Sequence, residues 1–258
     1  MKGNMKIGIF DSGLGGLIVA RAIQKMMPEY DYVYLGDTKR VPYGNKSHAS
    51  VYQFTREGVE YLFNKEHCQI IIVACNTASA RALRQIQQEY LPKHFPDRRV
   101  LGVLIPAAEV AGVYERVGVI ATTGTVASKT FVAEIKKINS KVKVFQNPAP
   151  MLVPLIEEGE IEKSLPFLEK YLKPLLAKDL DALVLGCTHY PILKKEIKKI
   201  IPKGIKIISQ DEIVPKKLRE YLNNHKEIDK KLSKNKKIKL LVTSQNENMN
   251  TLVKKWFG

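Results

Sequence analysis

The chain has 258 residues, enough for one large domain or two smaller ones with hydrophobic cores of their own. Its hydrophobic fraction of 45% is ordinary for a globular protein, and no apolar run reaches the roughly 20 residues that a membrane helix needs. The formal net charge is +16, and residues 191–240 carry 15 lysines and one arginine against six acidic residues. Because those lysines follow helical patterns, we interpret them as a solvated helix surface rather than a nucleic-acid-binding face.

The cysteines favour a reducing compartment. There are three, Cys68, Cys75 and Cys187, and the first apolar stretch, residues 7–10, is only as long as a strand and is no secretory signal. We therefore expect a cytoplasmic protein without disulfides. Neither C-x-x-C nor H-E-x-x-H occurs, so we expect no protein-bound metal. Cys68 has no partner motif, and we expect its role to be structural.

The first predicted strand, residues 7–10, runs into the turn Asp11-Ser-Gly-Leu-Gly-Gly16, and a helical pattern follows. A glycine-rich turn between strand and helix commonly directs backbone amides at an anion. The spacing is not that of a G-x-G-x-x-G dinucleotide turn, which disfavours a nucleotide site. Asp11 ends the strand, where it could orient a thiol, bind an ammonium group or cap the helix.

Two further strands end in polar residues at the same predicted sheet edge. Residues 32–35 lead into the turn Pro42-Tyr-Gly44, which brings an aromatic side chain and free backbone amides. Residues 70–73 predict a buried strand, and Cys75-Asn-Thr77 stands between it and a helical pattern. Open α/β sheets bind ligands at this edge, and a helix N-terminus favours a thiolate.

A break around Pro92, Pro96 and residues 97–99 predicts a crossing into a second domain. Strands are expected there at 100–105, 116–121, 141–145, 182–186 and 205–208. Residues 117–124 repeat the strand and glycine turn of residues 7–13, which indicates an internal duplication. Thr122 and Thr125 in this turn could bind an anion or cap the next helix.

The chain is expected to return to the first domain near residue 211. A helix at 216–222, a strand at 238–242 and a helix at 249–257 would complete that domain, and the polar residues 223–237 predict a mobile surface connection. The predicted domains are therefore residues 1–98 with 211–258, and residues 99–210.

A second cysteine occupies the position equivalent to Cys75. The strand at 182–186 ends in Cys187-Thr-His-Tyr-Pro191, so two thiols are predicted to face one ligand. Without C-x-x-C or further metal ligands, the remaining common use is a thiolate base and a thiol acid on opposite faces of a carbon, as a racemase needs. Asp11 could assist Cys75, and His189 or Glu157 could assist Cys187, while backbone amides stabilise the carbanion.

Five motifs in order resemble the cofactor-independent aspartate/glutamate racemase superfamily, and bacterial glutamate racemases in particular. They are Asp11-Ser-Gly-Leu-Gly-Gly16, Gly36-Asp-Thr with Val41-Pro-Tyr-Gly44, Val73-Ala-Cys-Asn-Thr-Ala78, Ala121-Thr-Thr-Gly-Thr125 and Leu185-Gly-Cys-Thr-His-Tyr-Pro191. The resemblance covers nearly the whole chain. Two departures are Ser209-Gln-Asp211, in place of the more usual Asp-Ser, and the lysine-rich residues 226–239.

The resemblance implies an α/β fold of two pseudosymmetric three-layer domains with mostly parallel sheets and the active site at the domain interface. It implies L- and D-glutamate interconversion without a cofactor, with Cys75 acting on the D-enantiomer and Cys187 on the L-enantiomer. Asp11, His189 and Glu157, next to Glu158, would assist. The implied substrate-binding residues are Asp11, Ser12, Pro42, Tyr43, Gly44, Asn76, Thr77, Thr122, Thr125, Thr188 and His189.

The resemblance also implies a cytoplasmic homodimer that supplies D-glutamate for peptidoglycan. Family members activated by a peptidoglycan precursor usually carry an N-terminal extension, and few residues precede the first strand here, so we expect no such activation.

Three alternatives stay open. One is racemisation of aspartate or another acidic amino acid, because one methylene is worth only about 1–3 kcal/mol in a pocket. Another is a decarboxylase of the superfamily, which the presence of both cysteines disfavours, or an isomerase of the superfamily, which could keep both. The third is a basic nucleic-acid-binding protein that has kept the racemase fold.

Overall fold

The computed structural model describes residues 3–245 and 249–258. Within these ranges the strands are β1 (Lys6–Asp11), β2 (Tyr32–Gly36), β3 (Cys68–Val73), β4 (Arg99–Gly102), β5 (Arg116–Ala121), β6 (Lys143–Pro148), β7 (Ala182–Gly186), β8 (Lys206–Ile208) and β9 (Ile238–Val242). The α-helices are α1 (Gly16–Met26), α2 (His48–Asn64), α3 (Asn76–Arg81), α4 (Leu83–Gln85), α5 (Leu91–His94), α6 (Leu104–Ala111), α7 (Thr123–Ser128), α8 (Thr130–Ile138), α9 (Leu152–Glu157), α10 (Ile161–Leu176), α11 (Lys194–Ile200), α12 (Gln210–Asn224), α13 (Lys226–Asp229) and α14 (Met249–Trp256). Every helix in the described ranges is too short or too polar to cross a membrane.

The strands form two parallel sheets with helices on both faces. One has the order β4-β3-β1-β2-β9 and the other the order β6-β5-β7-β8. Alternate residues of one strand enter different cores: Ile7 and Ile9 of β1 pack on one face, and Phe10 on the other. Burial on both faces explains why these strands read as continuous apolar runs. The predicted α/β class with layered, parallel sheets is confirmed.

The strand order repeats between the two halves. The order β4-β3-β1-β2 in the first sheet matches β8-β7-β5-β6 in the second, and β9 is an addition to the first sheet. In the repeat, β1 corresponds to β5. Strand β3, which is followed by Cys75, corresponds to β7, which is followed by Cys187. The duplication indicated by the sequence is therefore visible in the topology.

The predicted crossing at residue 98 is too early. Strand β4 pairs with β3, with Val100 opposite Ile71, and so belongs to the first sheet. A four-residue strand carries no local signal for the sheet that it will join, and the prolines before it suggested a boundary. The chain leaves the first sheet after Gly102, and α6 then packs into the core of the second half through Leu104 and Ala108.

The return is made by α12, which is longer than the helix predicted at 216–222. Its buried residues Val214, Leu218 and Leu222 join the core that contains Leu17 and Ile23 of α1. Helices α6 and α12 also contact each other. Helix α6 thus follows β4 of the first sheet but packs on the second half, and α12 follows β8 of the second sheet but packs on the first half. One hydrophobic cluster continues through both halves.

The prediction of a mobile connection at 223–237 is wrong. The segment contains α13, and Ile228 and Leu232 are buried. The Asp31 carboxylate accepts hydrogen bonds from the backbone amides of Asn235 at 3.0 Å and Lys237 at 2.9 Å. The abundance of lysine concealed the two apolar anchors, and nothing local shows that Asp31 is a partner.

Candidate active site

A cavity of about 70 Å³ lies where the carboxyl ends of the strands in the two halves meet. Both sulfur-bearing turns reach it, Cys75 after β3 and Cys187 after β7. Of the residues predicted from sequence, the cavity is also lined by Ser12, Pro42, Tyr43, Gly44, Asn76, Thr77, Thr122, Glu157, Thr188 and His189. Asp11 and Thr125 are fully buried and lie behind this lining.

Cys75 is a thiol held at the start of a helix. Its Sγ caps α3 by accepting a hydrogen bond from the amide of Ala78 at 3.4 Å. Burial, and then the negative charge of Asp11, raise the pKa of the thiol to about 12, although hydrogen bonds from Ser12 and Ala78 act in the opposite direction. Cys75 is therefore protonated at neutral pH, contrary to the thiolate expected from the helix N-terminus.

Cys187 stands in different electrostatic surroundings. Its Sγ lies 3.7 Å from Nδ1 of His189, and Nε2 of His189 lies 3.0 Å from Oε1 of Glu157. Burial alone would lower the pKa of His189, but its hydrogen bonds to Cys187 and Glu157 outweigh burial and raise that pKa to about 10. A positively charged imidazolium therefore lies beside Cys187 at neutral pH.

Glu157 rather than Glu158 faces the cavity. Glu157 contacts His189 and lines the cavity, whereas Glu158 is exposed and borders a separate groove. The adjacent pair could not be separated from sequence, because the register of the short helix α9 decides which carboxylate points inward.

Asp11 is a fully buried carboxylate at the end of β1. Its Oδ2 accepts a hydrogen bond from the amide of Gly13 at 3.0 Å, and its Oδ1 has no partner among the described residues. Burial raises the pKa of Asp11, although the nearby charge of His189 opposes this. From its position behind the lining, the negative charge of ionised Asp11 raises the pKa of Cys75.

The glycine turn after β1 allows the second half to approach. A Cβ atom on Gly15 would lie 2.4 Å from Cε1 of His189 and 2.6 Å from Oγ1 of Thr188. Tyr34 holds the same turn by donating a hydrogen bond to the carbonyl of Gly13 at 2.7 Å. A glycine is therefore needed at position 15 for close packing between the halves, a reason that the sequence pattern did not reveal.

Three threonine hydroxyls join the halves at the cavity. The Oγ1 atom of Thr77 lies 2.8 Å from that of Thr122 and 3.3 Å from that of Thr125, and the last two are 3.0 Å apart. Thr122 also caps α7, so the expected alternative of helix capping applies as well. Hydroxyl hydrogens can rotate, so this cluster can reorient to donate to a bound carboxylate.

Tyr43 is fixed by a residue that the sequence did not assign to the site. Its hydroxyl donates to Oδ2 of Asp37 at 2.5 Å, and the same oxygen lies 2.7 Å from Nε of Arg40. Thr243, just after β9, donates to the other carboxylate oxygen of Asp37 at 2.9 Å. The strand that returns late in the chain thus supports the Pro42–Gly44 turn.

Two more neighbours of the site were missed. The ring of Trp256 meets that of His189 edge-on, with 5.6 Å between centroids and an interplanar angle of 87°. Gln210 donates from Nε2 to Oδ1 of Asn76 at 3.0 Å. Both come from distant parts of the chain; Gln210 lies in the Ser209-Gln-Asp211 departure noted above, but nothing local assigned it to the site.

The polar lining of the cavity combines hydroxyl and amide groups, the two thiols, one histidine and the carboxylate of Glu157. In the described part of the chain, its lining contains no lysine or arginine. Searching the same residues finds no cluster of three histidine, cysteine or acidic side chains suited to a metal ion. A carboxylate ligand would therefore be met by hydroxyl, side-chain amide and backbone N–H groups.

Comparisons with known proteins agree with this arrangement. The family model described as Asp/Glu/Hydantoin racemase matches residues 17–213. A glutamate racemase of Aquifex aeolicus is 38% identical, over 98% of this chain and 94% of its own length. One from Chlorobaculum parvum is 43% identical, over 85% of this chain and 80% of its own length. The crystal structure of a Francisella tularensis glutamate racemase in complex with D-glutamate has 32% identity and a TM-score of 0.89, covering 98% of this chain and 94% of that one.

Proposed function

This chain belongs to the Asp/Glu/Hydantoin racemase family, and we propose from that premise that it interconverts L- and D-glutamate by a two-cysteine acid/base mechanism. The observation that carries the proposal is the approach of Cys75 and Cys187 to one cavity from opposite halves of the chain. Racemisation needs two groups of this kind, because the proton is removed from one face of Cα and returned to the other.

In the L-to-D direction, the thiolate of Cys187 takes the α-proton of L-glutamate. The electron pair of the broken Cα–H bond stays on the substrate as a carbanion conjugated with its carboxylate. The thiol of Cys75 then gives its proton to the opposite face, which leaves D-glutamate, a thiol at Cys187 and a thiolate at Cys75. The D-to-L direction runs through the same states in reverse.

The surroundings of the two cysteines differ. The imidazolium of His189 lies beside Cys187, and burial together with Asp11 keeps Cys75 protonated. A protonated Cys75 is the acid that the L-to-D direction needs. Turnover of D-glutamate needs the opposite distribution of protons between the two sulfur atoms.

The donors around the cavity hold the substrate and stabilise the carbanion. Thr77, Thr122 and Asn76 are placed to bind carboxylate oxygens, and Thr188 borders Cys187. Fixed dipoles in a buried site cost no reorganisation when charge develops, and they act more strongly there than in water. Thr125 and Asp11 act from the layer behind, by holding these donors and Cys75.

The proposal extends to the cellular setting. The D-glutamate would supply peptidoglycan synthesis, and three buried free thiols suit a reducing cytoplasm. As for bacterial glutamate racemases in general, we propose a homodimer, which light scattering at several protein concentrations tests. A molar mass that stays at one chain, 29.2 kDa, would exclude it.

The test of function is proton exchange at Cα. The purified, reduced protein is incubated in D₂O with L-glutamate, D-glutamate or L-aspartate and no added cofactor, and the Cα–H signal is followed with optical rotation. We expect both to disappear for the glutamate enantiomers. The same result for aspartate alone would change the substrate, and no exchange from a folded, reduced protein would overturn the proposal.

A further inference from the structure

Gln210 connects the crossing helix to the lining of the cavity. It is the first residue of α12, is fully buried and does not itself line the cavity. Its Nε2 donates to Oδ1 of Asn76, 3.0 Å away and 134 positions earlier in the chain. The contact therefore forms only when the returning helix α12 has docked against the first half.

In the structure this contact leaves the nitrogen side of the Asn76 amide free, and Oε1 of Gln210 is also buried without a hydrogen-bond partner among the described residues. With Oδ1 of Asn76 engaged by Gln210, the remaining group is Nδ2, which is buried and has no hydrogen-bond partner among the described residues. Asn76 itself is 2% exposed and lines the cavity directly after Cys75. Most buried donors in folded proteins have a hydrogen-bond partner. A buried donor without one at a cavity is therefore a candidate to bind a ligand.

An asparagine without a fixed partner can present either its oxygen or its nitrogen, since a half-turn of the amide exchanges the two. Towards an anionic ligand, only the nitrogen is attractive. We propose that Gln210 is a positioning residue that holds the Asn76 amide with its N–H₂ group towards the cavity, so that Asn76 donates to a substrate carboxylate. The inference rests on the proposed function, because it assigns the donor used by the acidic substrate.

Three variants separate this role from general packing. Gln210→Met keeps the length of the side chain but removes its donor, so the Asn76 amide is free to turn. Gln210→Glu keeps the shape, and its carboxylate accepts from Asn76 Nδ2 and so turns the amide oxygen towards the cavity. Gln69→Met is the matched control, because Gln69 is also buried and donates from Nε2 to a carbonyl, that of Asp97, at 2.6 Å, outside the cavity.

The readouts are the Kd for L-glutamate by calorimetry and the KM and kcat of racemisation. We expect both Gln210 variants to raise Kd and KM about tenfold or more, with kcat within about threefold, because a binding interaction common to ground and transition states is lost. Gln69→Met is expected to lower the urea midpoint without changing Kd or KM. An unchanged Kd in folded Gln210→Met and Gln210→Glu would overturn the inference.

A double-mutant cycle tests whether Gln210 acts through Asn76. In an Asn76→Ala background, Gln210→Met is expected to raise Kd no further, because the amide that it orients is gone. Equal effects in both backgrounds would overturn the positioning role. If the wild type binds glutamate without racemising it, the proposed function fails while the Kd series still tests Gln210, and a wild type that neither binds nor racemises it overturns both.

Discussion

Cys75 and Cys187 are equally buried, at 5% exposure, yet their charged neighbours differ. A carboxylate, Asp11, stands behind Cys75, whereas a histidine held by Glu157 stands beside Cys187. The cysteines occupy equivalent positions in the repeat, so the asymmetry comes from residues that the repeat does not share.

The three cysteines are expected to respond differently to removal. Cys75→Ala and Cys187→Ala should each lose racemisation by about 10²–10⁴-fold or more, the usual contribution of a positioned acid or base. Cys68 is buried beside Gly8, away from the cavity, so Cys68→Ala should cost some stability and racemise normally. The measurement is the change in optical rotation with each glutamate enantiomer, and a folded but inactive Cys68→Ala would contradict the assignment.

The pH dependence of the reaction should reveal the Glu157–His189 contact. His189 is charged below its pKa of about 10, so its positive charge beside Cys187 is present below that pH and lost above it, and the L-to-D rate should fall there. Glu157→Gln removes one of the charges that raise this pKa, and the alkaline fall in rate should move to lower pH. The measurement is the pH profile of the initial rate, with the exposed Glu158→Gln as control. If the initial rate falls at the same alkaline pH in wild type and Glu157→Gln, this role is excluded.

At the scale of elements, the turn between β1 and α1 depends on close approach rather than unusual backbone angles. Gly15 has an ordinary φ of −58°, so alanine fits the backbone there, but its Cβ would collide with His189. Gly15→Ala should keep the fold and lower kcat/KM by about 10²-fold, as expected for a displaced catalytic group.

The control for Gly15→Ala is Gly112→Ala. Gly112 also has an ordinary φ, of −65°, and its Cβ would meet Ile138 at 2.7 Å, remote from the cavity. This variant should lose stability in urea without losing activity. Full activity in Gly15→Ala, or equal activity losses in the two variants, would remove the packing argument for Gly15.

The segment after α12 should depend on one carboxylate. Asp31→Ala removes the acceptor of three hydrogen bonds, from the amides of Asn235 and Lys237 and from Nδ2 of Asn235. We expect a loss of about 2–4 kcal/mol in stability, with faster hydrogen exchange at residues 230–237 than in the second sheet. Uniformly faster exchange in both regions would instead indicate global destabilisation.

The contribution of Asp31 should also depend on pH. Burial alone would raise the pKa of Asp31, but its hydrogen bonds from Lys237 and Asn235 outweigh burial and lower it. The stabilisation is therefore complete above the ordinary value of 3.8 and is lost as the pH falls through the lowered pKa. The difference in unfolding free energy between wild type and Asp31→Ala should shrink below about pH 4.

At the scale of the whole molecule, the exchanged helices make the halves interdependent. Helix α6 packs on the second half and α12 on the first, and one hydrophobic cluster contains both Ile9 of β1 and Leu183 of β7. A chain of two independent domains would lack this continuity. We therefore expect one cooperative unfolding transition rather than two.

The single tryptophan makes this testable. Trp256 is buried on α14 beside α1 of the first half and His189 of the second, so its fluorescence follows the first half and its contact with the second, whereas far-UV circular dichroism follows all helices. The two urea transitions should coincide. Leu218→Ala in α12 should lower both midpoints together, at a cost of about 2–5 kcal/mol. Separate transitions for the two probes would show that the halves unfold independently.

The motifs alone predicted a glutamate racemase, and the relatives that match most of this chain bear that name. Cys75 and Cys187 were also identified, because strands end where apolar runs stop and parallel strands bring those ends together, and the family resemblance supplied most of the remaining lining. These features are local in the chain, and so its sequence determined them.

The tertiary structure decided what depends on residues far apart in the chain. It placed β4 at the edge of the first sheet, Asp31 against Asn235, Gln210 against Asn76 and Trp256 against His189. A short strand, an isolated carboxylate or a single glutamine has the same local pattern whichever partner it meets. Their partners, and the different charged neighbours of the two cysteines, follow only from how the folded halves pack together.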